Sequence, residues 1–412
     1  MQSPVYRFHR YVGGLTTLLL FIYFFRPFQL FTTRSSASQF YTEKNPKYDN
    51  LAIAVKTGID IAQDRTPLQL LTFLAPVKNV ILIGEAPGVS VGDVPMVDVY
   101  TNLYNDSLHH VSRRPINPKF TKRSEMDTPD DQQLFKRTVD AVIPDEKSFG
   151  WKADAHKNLP GFKVLYETFP DAEWYLMIDD DTYLFLDNLK CFLGYFNGFK
   201  KQYYFGAANV FVGCDGIKEF GKGPFFAHGG SGIILSRLAL QTMLGVLDTC
   251  IEKYRHCWAG DIRIGLCLRD VDIFIGDPGG QYRDPPNDKF NFNNTCLRPF
   301  TFHHLLPHQM QKLYQIEKEV KKDINRFVIM PDVFKSFLSE TPKENSNRYG
   351  YDYFNKTLDS VESCRLECQN DLKCVSYVYQ YGICFLKDAA PPVVYEYGAT
   401  TGIIKDHFVC DK

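Results

Sequence analysis

The sequence lacks an excess of either charge: Lys and Arg number 47, Asp and Glu 48, and the formal net charge is -1. A chain-wide basic field for nucleic acid is therefore excluded. None of the 11 cysteines falls in a C-x2-C pair, which argues against the common zinc ribbons. No internal repeat is present. The compositional bias of a disordered or fibrous chain is absent too, with 44% hydrophobic and 23% charged residues. What remains is an ordinary globular composition, rich in aromatics at 15%. At 412 residues it has room for two or three domains, or one large domain with an appendage.

The longest uncharged apolar run, Tyr11 to Phe25, is 15 residues, short of the roughly 20 a bilayer span needs. Arg26 can snorkel, and Phe28, Leu30 and Phe31 extend the run. We read residues 1–10 as a cytosolic tail, 11–31 as an uncleaved transmembrane signal anchor, and 32–50 as a polar stem. A cleaved signal peptide ending near Ser36-Ala37-Ser38 is the competing reading. Arg7 and Arg10 before the run place the amino terminus in the cytosol and the bulk of the chain in the lumen. The expected location is a Golgi or ER membrane, single-pass type II.

Five cysteines, Cys364, Cys368, Cys374, Cys384 and Cys410, crowd the last fifty residues, the mark of a disulfide framework in an oxidising compartment. N-x-[ST] acceptors at Asn105, Asn293 and Asn355 are compatible with it.

Between these ends, Leu51–Val55, Val80–Ile83, Trp174–Ile178, the strand closing Phe225–Leu235 and Val271–Ile275 read as strands. Helices are expected after Thr128-Pro129, after a Ser236 cap, and from Pro307 as the last one. Strands alternating with helices argue an α/β fold with a mainly parallel sheet. The composition turns polar near residues 340–350, where a domain boundary is expected, dividing 51–340 from 350–412.

The sharpest signal is the apolar run from Trp174 that ends in Asp179-Asp180-Asp181. Three adjacent carboxylates beside a core repel one another and require a compensating positive charge. At the carboxyl end of a parallel strand, a divalent cation with a diphosphate supplies it, and hard oxygens suit Mn2+ or Mg2+. An acidic turn capping the next helix is the plain alternative. Next comes Ala227-His228-Gly229-Gly230-Ser231-Gly232, whose glycines let backbone approach a ligand or simply make a tight turn. In the third segment, Trp258-Ala-Gly-Asp261, an acid stands before a helical turn, as a general base or a helix-start residue. Fourth is Phe302-His303-His304, a source of imidazole for Mn2+.

In this order the four pieces resemble the Fringe-like and core-1-galactosyltransferase-like β1,3-glycosyltransferases, glycosyltransferase family 31, over about residues 50–320. The similarity is to the fungal branch with a C-terminal PAN/Apple-like module. The resemblance implies a GT-A fold, a Rossmann-like nucleotide-binding sheet, and inverting transfer of a hexose or N-acetylhexosamine from a UDP-sugar to a glycan or glycoprotein hydroxyl. It implies Asp179, Asp181 and His303 as metal ligands and Asp261 as base. Asp180, Lys56, Thr57, Arg65, Lys157 and Glu85 would lie on the nucleotide and donor side. His228, Gly229, Gly230, Ser231 and Trp258 would shape the donor and acceptor pocket. The chain departs from the family's [DE]-D-x-x-x-G segment in one place, where Gly260 replaces the first acid. One residue separates His303 from His304 as the ligand. For the terminal module the resemblance implies Cys364–Cys384 and Cys368–Cys374 bridges, leaving Cys410 free or bonded elsewhere. A non-catalytic lumenal or secreted binding protein built on a decayed transferase is the reading from another class; a retaining GT-A enzyme is a third.

Overall fold

The computed structural model describes residues 48–84, 88–99, 154–210, 214–215, 223–255, 257–288, 290, 296–323 and 325–409. The tail, the anchor, nearly all of the stem, the helix expected after Thr128, and Glu85, Asn105, Asn293 and Cys410 lie outside these residues. Among the described residues no helix is long and apolar enough to cross a membrane.

The larger unit is built on β1 (Leu51–Lys56), β2 (Val80–Gly84), β3 (Ser90–Val91), β4 (Val94–Asp98) and β5 (Trp174–Asp179). It continues through β6 (Tyr183–Leu184), β7 (Tyr204–Phe205), β8 (Ala208–Val210), β9 (Phe225–Ala227), β10 (Ile233–Ser236), β11 (Ile275–Gly276), β12 (Gln281–Tyr282) and β13 (Thr301–Phe302). Its helices are α1 (Ala62–Leu71), α2 (Asn158–Thr168), α3 (Leu186–Leu193), α4 (Arg237–Leu244), α5 (Leu247–Lys253), α6 (Gly260–Arg269), α7 (Pro307–Val320) and α8 (Met330–Phe337).

Eight strands form the main sheet in the order β11-β7-β10-β5-β1-β2-β4-β3. Both faces are covered, which is why β1 and β2 are buried throughout. Alternate side chains divide between two cores. Leu51, Ile53, Val55, Leu176 and Ile178 meet Leu70 of α1, Leu189 of α3 and Leu313 of α7. Ala52, Ala54, Tyr175 and Met177 meet Phe162 of α2, Leu240 of α4 and Leu266 of α6.

The sheet is parallel at its centre, where β1 pairs with β2 and β5 and β2 pairs with β4. Six of its eight strands run the same way, so it is mainly parallel as expected, with β10 antiparallel to both β5 and β7 and β3 antiparallel to β4. The strand expected over Val271–Ile275 is instead a turn closing α6, with Ile273 N–H donating to Leu268 O at 2.9 Å and Asp272 at φ 58. Only Ile275 and Gly276 pair, with β7. Ser236 caps α4 as expected, its Oγ accepting from Ala239 N–H at 3.3 Å. Pro307 opens α7, but α8 follows it in the larger unit, so α7 is not the last helix there.

The C-terminal unit has β14 (Lys343–Arg348), β15 (Asp352–Thr357), α9 (Val361–Asn370), β16 (Ser376–Gln380), β17 (Ile383–Lys387) and β18 (Val393–Ile403). Its five strands lie in the order β14-β18-β16-β17-β15, all antiparallel. The polar stretch near 340–350 therefore holds a strand of this sheet. Cys364–Cys384 staples α9 to β17, and Cys368–Cys374 ties α9 to the segment before β16. Asn355 is exposed on β15. The two units are joined: buried Arg348 reaches Asp288 at 3.3 Å, Lys343 pairs with the same carboxylate, and Phe408 stacks on Phe334. Two further bridges, Cys214–Cys257 and Cys250–Cys267, lie in the larger unit.

Candidate active site

Strand β5 delivers Asp179 to the carboxyl end of the sheet, directly beside Lys56 at the end of β1. The chain turns there, with Thr182 N–H donating to Asp179 O at 3.2 Å, and enters β6. Strand β13 pairs antiparallel with β6, Phe302 opposite Tyr183, and so carries the next residue, His303, back over the aspartate turn. His303 Nε2 lies 3.0 Å from Asp181 Oδ1 and 3.6 Å from Asp179 Oδ2. One ligand atom from each of Asp179, Asp181 and His303 falls within 4.8 Å of the others. His304 is exposed at φ 56 with its ring over His303, so the imidazole that faces the aspartates is that of His303.

The three acids part company. Asp180 turns inward, accepting from Thr57 Oγ1 at 2.7 Å and from Arg65 Nη1 at 3.0 Å. Burial pushes its carboxyl up to about 6, against the pull of those two donors. Lys56, 8% exposed, sits between Asp154 and Asp179, 3.2 Å from Asp179 Oδ1. Lys157 is buried. It donates to Thr57 O at 2.9 Å and lies 3.6 Å from Asp154. Burial would raise Asp179, but Lys56 and His303 outweigh it and hold the carboxyl well below the usual range. Burial would likewise lower His303, but Asp179 and Asp181 raise it to about 9.

The glycine loop packs on this cluster. Thr182 Oγ1 donates to Gly230 O at 2.6 Å, and Ser231 O accepts from Gln281 Nε2 at 2.8 Å and Thr301 Oγ1 at 2.6 Å. A Cβ on Gly230 would stand 2.1 Å from His303 Cε1, so glycine there makes room for the imidazole. Burial pushes His228 down to about 3, leaving it neutral, with Nδ1 accepting from Ser231 N–H at 3.3 Å.

Across the loop, Asp261 stands in the first turn of α6. Its Oδ2 accepts from Gly229 N–H at 2.9 Å and its Oδ1 from Ile262 N–H at 2.9 Å. Burial raises its pKa, countered in part by Gly229 and Lys56. Both the helix-start and the base reading of Asp261 describe this geometry: each oxygen keeps a lone pair beyond its single donor. Trp258 is buried just before it. A Cβ on Gly260 would fall 2.6 Å from Asn158 Cγ and 2.8 Å from Ala155 O, so the absent acid has no room here.

The residues fit a divalent cation. His303 Nδ1 is buried without a hydrogen-bond partner, and the buried Asp179 Oδ1 and Asp181 Oδ1 meet only the ionic contacts of Lys56 and His303 among the described residues. Among the described residues, Asp154, Asp179, Asp180, Asp181 and Asp261 face Lys56, Lys157 and Arg65 as fixed cations, leaving a surplus of negative charge there. Two carboxylates and an imidazole suit Mn2+. The sequence reading missed Asp154, Thr182, Gln281 and Thr301; of these only Asp154, three before Lys157, left a spacing signal.

A Fringe-like family model matches residues 126–272, a range that holds the aspartate triplet, the glycine loop and Asp261. His303 lies beyond the matched range. Chondroitin sulfate synthase 3 of Homo sapiens is 30% identical over 136 residues, 32% of this chain and 14% of the synthase. Glycoprotein-N-acetylgalactosamine 3-beta-galactosyltransferase 1 of Xenopus laevis is 30% identical over 107 residues, 26% of this chain and 27% of that protein. The matches thus span less than a third of either relative. A solved glycosyltransferase involved in glycosylation of the major capsid of PBCV-1 aligns with 64% of this chain and 99% of its own, at 9% identity and a TM-score of 0.23. The Fringe-like match and the glycosyltransferase relatives agree with the resemblance drawn from the motifs.

Proposed function

We propose that this chain is a metal-dependent, inverting glycosyltransferase. It transfers a hexose or N-acetylhexosamine from a UDP-sugar to a glycan or glycoprotein hydroxyl, forming a β1,3 linkage. The observation that carries the reading is the convergence of Asp179, Asp181 and His303 at the end of β5, with Asp261 across the glycine loop. In this reading the larger unit is a GT-A domain, the C-terminal unit is a PAN/Apple-like module, and residues 11–31 anchor the enzyme in a Golgi or ER membrane.

Asp179, Asp181 and His303 would hold Mn2+ or Mg2+, which when bound offsets charge on the departing diphosphate. Asp261, its pKa raised by burial, takes the proton from the acceptor hydroxyl as that oxygen attacks the anomeric carbon from the face opposite UDP. Gly229 N–H, donating to Oδ2, fixes the carboxylate's orientation. Asp180, tied to Thr57 and Arg65, shapes the nucleotide side. Neutral His228 lines the pocket without adding charge.

The test is release of UDP from a panel of UDP-sugars, UDP-galactose first in view of the amphibian relative, with and without Mn2+. Product anomericity is read by NMR. Mn2+-dependent release and a β product support the proposal. Failure of the wild-type chain to bind Mn2+ and UDP refutes it in favour of a binding protein, and an α product removes Asp261 from its role.

A further inference from the structure

Lys56 ends β1 in register with Asp179, so its side chain enters the site from the neighbouring parallel strand. A lysine that grips a diphosphate needs a free tip. Here the ammonium is already held on two sides, by Asp154 and by Asp179 Oδ1 at 3.2 Å. The two oxygens of Asp179 therefore face different partners: Oδ1 meets Lys56, and Oδ2 faces His303 at 3.6 Å. Asp154 is itself fixed by Lys157, 3.6 Å away, which donates to Thr57 O at 2.9 Å, one residue beyond Lys56. The chain of contacts runs from the start of α2 through Asp154 and Lys56 to the metal-facing carboxylate.

We infer that Lys56 is a positioning residue for Asp179, anchored by Asp154, and not a direct contact of the donor nucleotide. The inference rests on the proposed metal-dependent reading. A ligating carboxylate whose second oxygen is pinned presents the first in one orientation, and loss of such a partner typically weakens metal binding about 10–100-fold. A buried ammonium deprived of one of its two carboxylates is poorly compensated, so Asp154 matters through Lys56.

The experiment is Mn2+ titration of the purified full-length chain by electron paramagnetic resonance, comparing wild type, Lys56→Met and Asp154→Asn. UDP affinity is then measured at saturating Mn2+. Expected are a roughly 10–100-fold loss of Mn2+ affinity in Lys56→Met and a smaller loss in the same direction in Asp154→Asn. UDP affinity at saturating Mn2+ should match wild type in both. Mn2+ binding at or above wild-type strength in Lys56→Met overturns the inference, as does a fall in UDP affinity once the metal site is full. If Lys56→Met does not fold, Asp154→Asn decides, since Asp154 is partly exposed. A wild-type chain that binds no Mn2+ overturns the proposed function and this inference together, whereas the other outcomes leave the proposed function standing.

Discussion

Replacing Gly230 by alanine adds one methyl group, and the structure says where its cost falls. The new Cβ would stand 2.1 Å from His303 Cε1, 2.2 Å from Nε2 and 2.5 Å from Nδ1. Carbon atoms settle at about 3.5 Å or more, so the ring must retreat by roughly 1.4 Å. Gly230 does not adopt the left-handed backbone that disfavours alanine, so the backbone itself is not strained. The imidazole is the part that yields, at an overpacking cost of about 1–3 kcal/mol. Metal–ligand distances tolerate only about 0.2 Å, so a ring displaced several times that far no longer completes the Asp179–Asp181–His303 set. The Gly230→Ala variant should therefore remain folded with a modestly lower Tm, lose at least roughly tenfold in Mn2+ affinity, and lose transfer at limiting Mn2+. The assays are Mn2+ titration, a thermal melt, and UDP release as a function of Mn2+ concentration. Wild-type Mn2+ affinity in this variant would refute the placement of His303 at the metal.

Four further outcomes follow. Asp261→Asn should lower turnover by about 10²–10⁴ while Mn2+ and UDP binding are retained; loss of binding instead would mark it as structural. Because burial raises the Asp261 pKa and the base must be ionised, kcat/KM should fall as pH drops through a value above that of an ordinary aspartate, and this limb should vanish in Asp261→Asn. Restoring the family's acid with Gly260→Asp should destabilise the chain by about 1–3 kcal/mol, seen as a lower Tm, because Asn158 and Ala155 O fill the space. Replacing Cys364 and Cys384 by serine together should cost the C-terminal unit about 2–4 kcal/mol by urea denaturation, and an unchanged transition would show the staple to be dispensable.

The elements most legible in the sequence are those buried on both faces. Leu51–Val55 and Trp174–Ile178 are unbroken apolar runs because helices cover both sides of β1 and β5. The polar strand β14, Lys-Glu-Asn-Ser-Asn-Arg, has no such signature. It is a strand because β18 offers it a ladder at the sheet's edge, information that resides in the partner. Val271–Ile275 misled for the opposite reason: its β-type residues are overridden by the turn at Asp272. At the site, the aspartates could be read as a cation-seeking cluster, but the choice of His303 over His304 rests on the pairing of β6 with β13 across more than a hundred residues. Lys56 was legible as a residue, yet its contact with Asp154, which the sequence did not single out, depends on the fold.

Cys257 precedes Asp261 by four residues and is bonded to Cys214; Cys267 follows it by six and is bonded to Cys250 in α5. The helix bearing the proposed base is thus sewn down on either side, whereas the aspartate–histidine cluster contains no sulfur. The two halves of the reaction centre consequently answer to different chemical insults. On the proposed reading a chelator would strip one and leave the other in place, and a thiol reductant would loosen the second and spare the first.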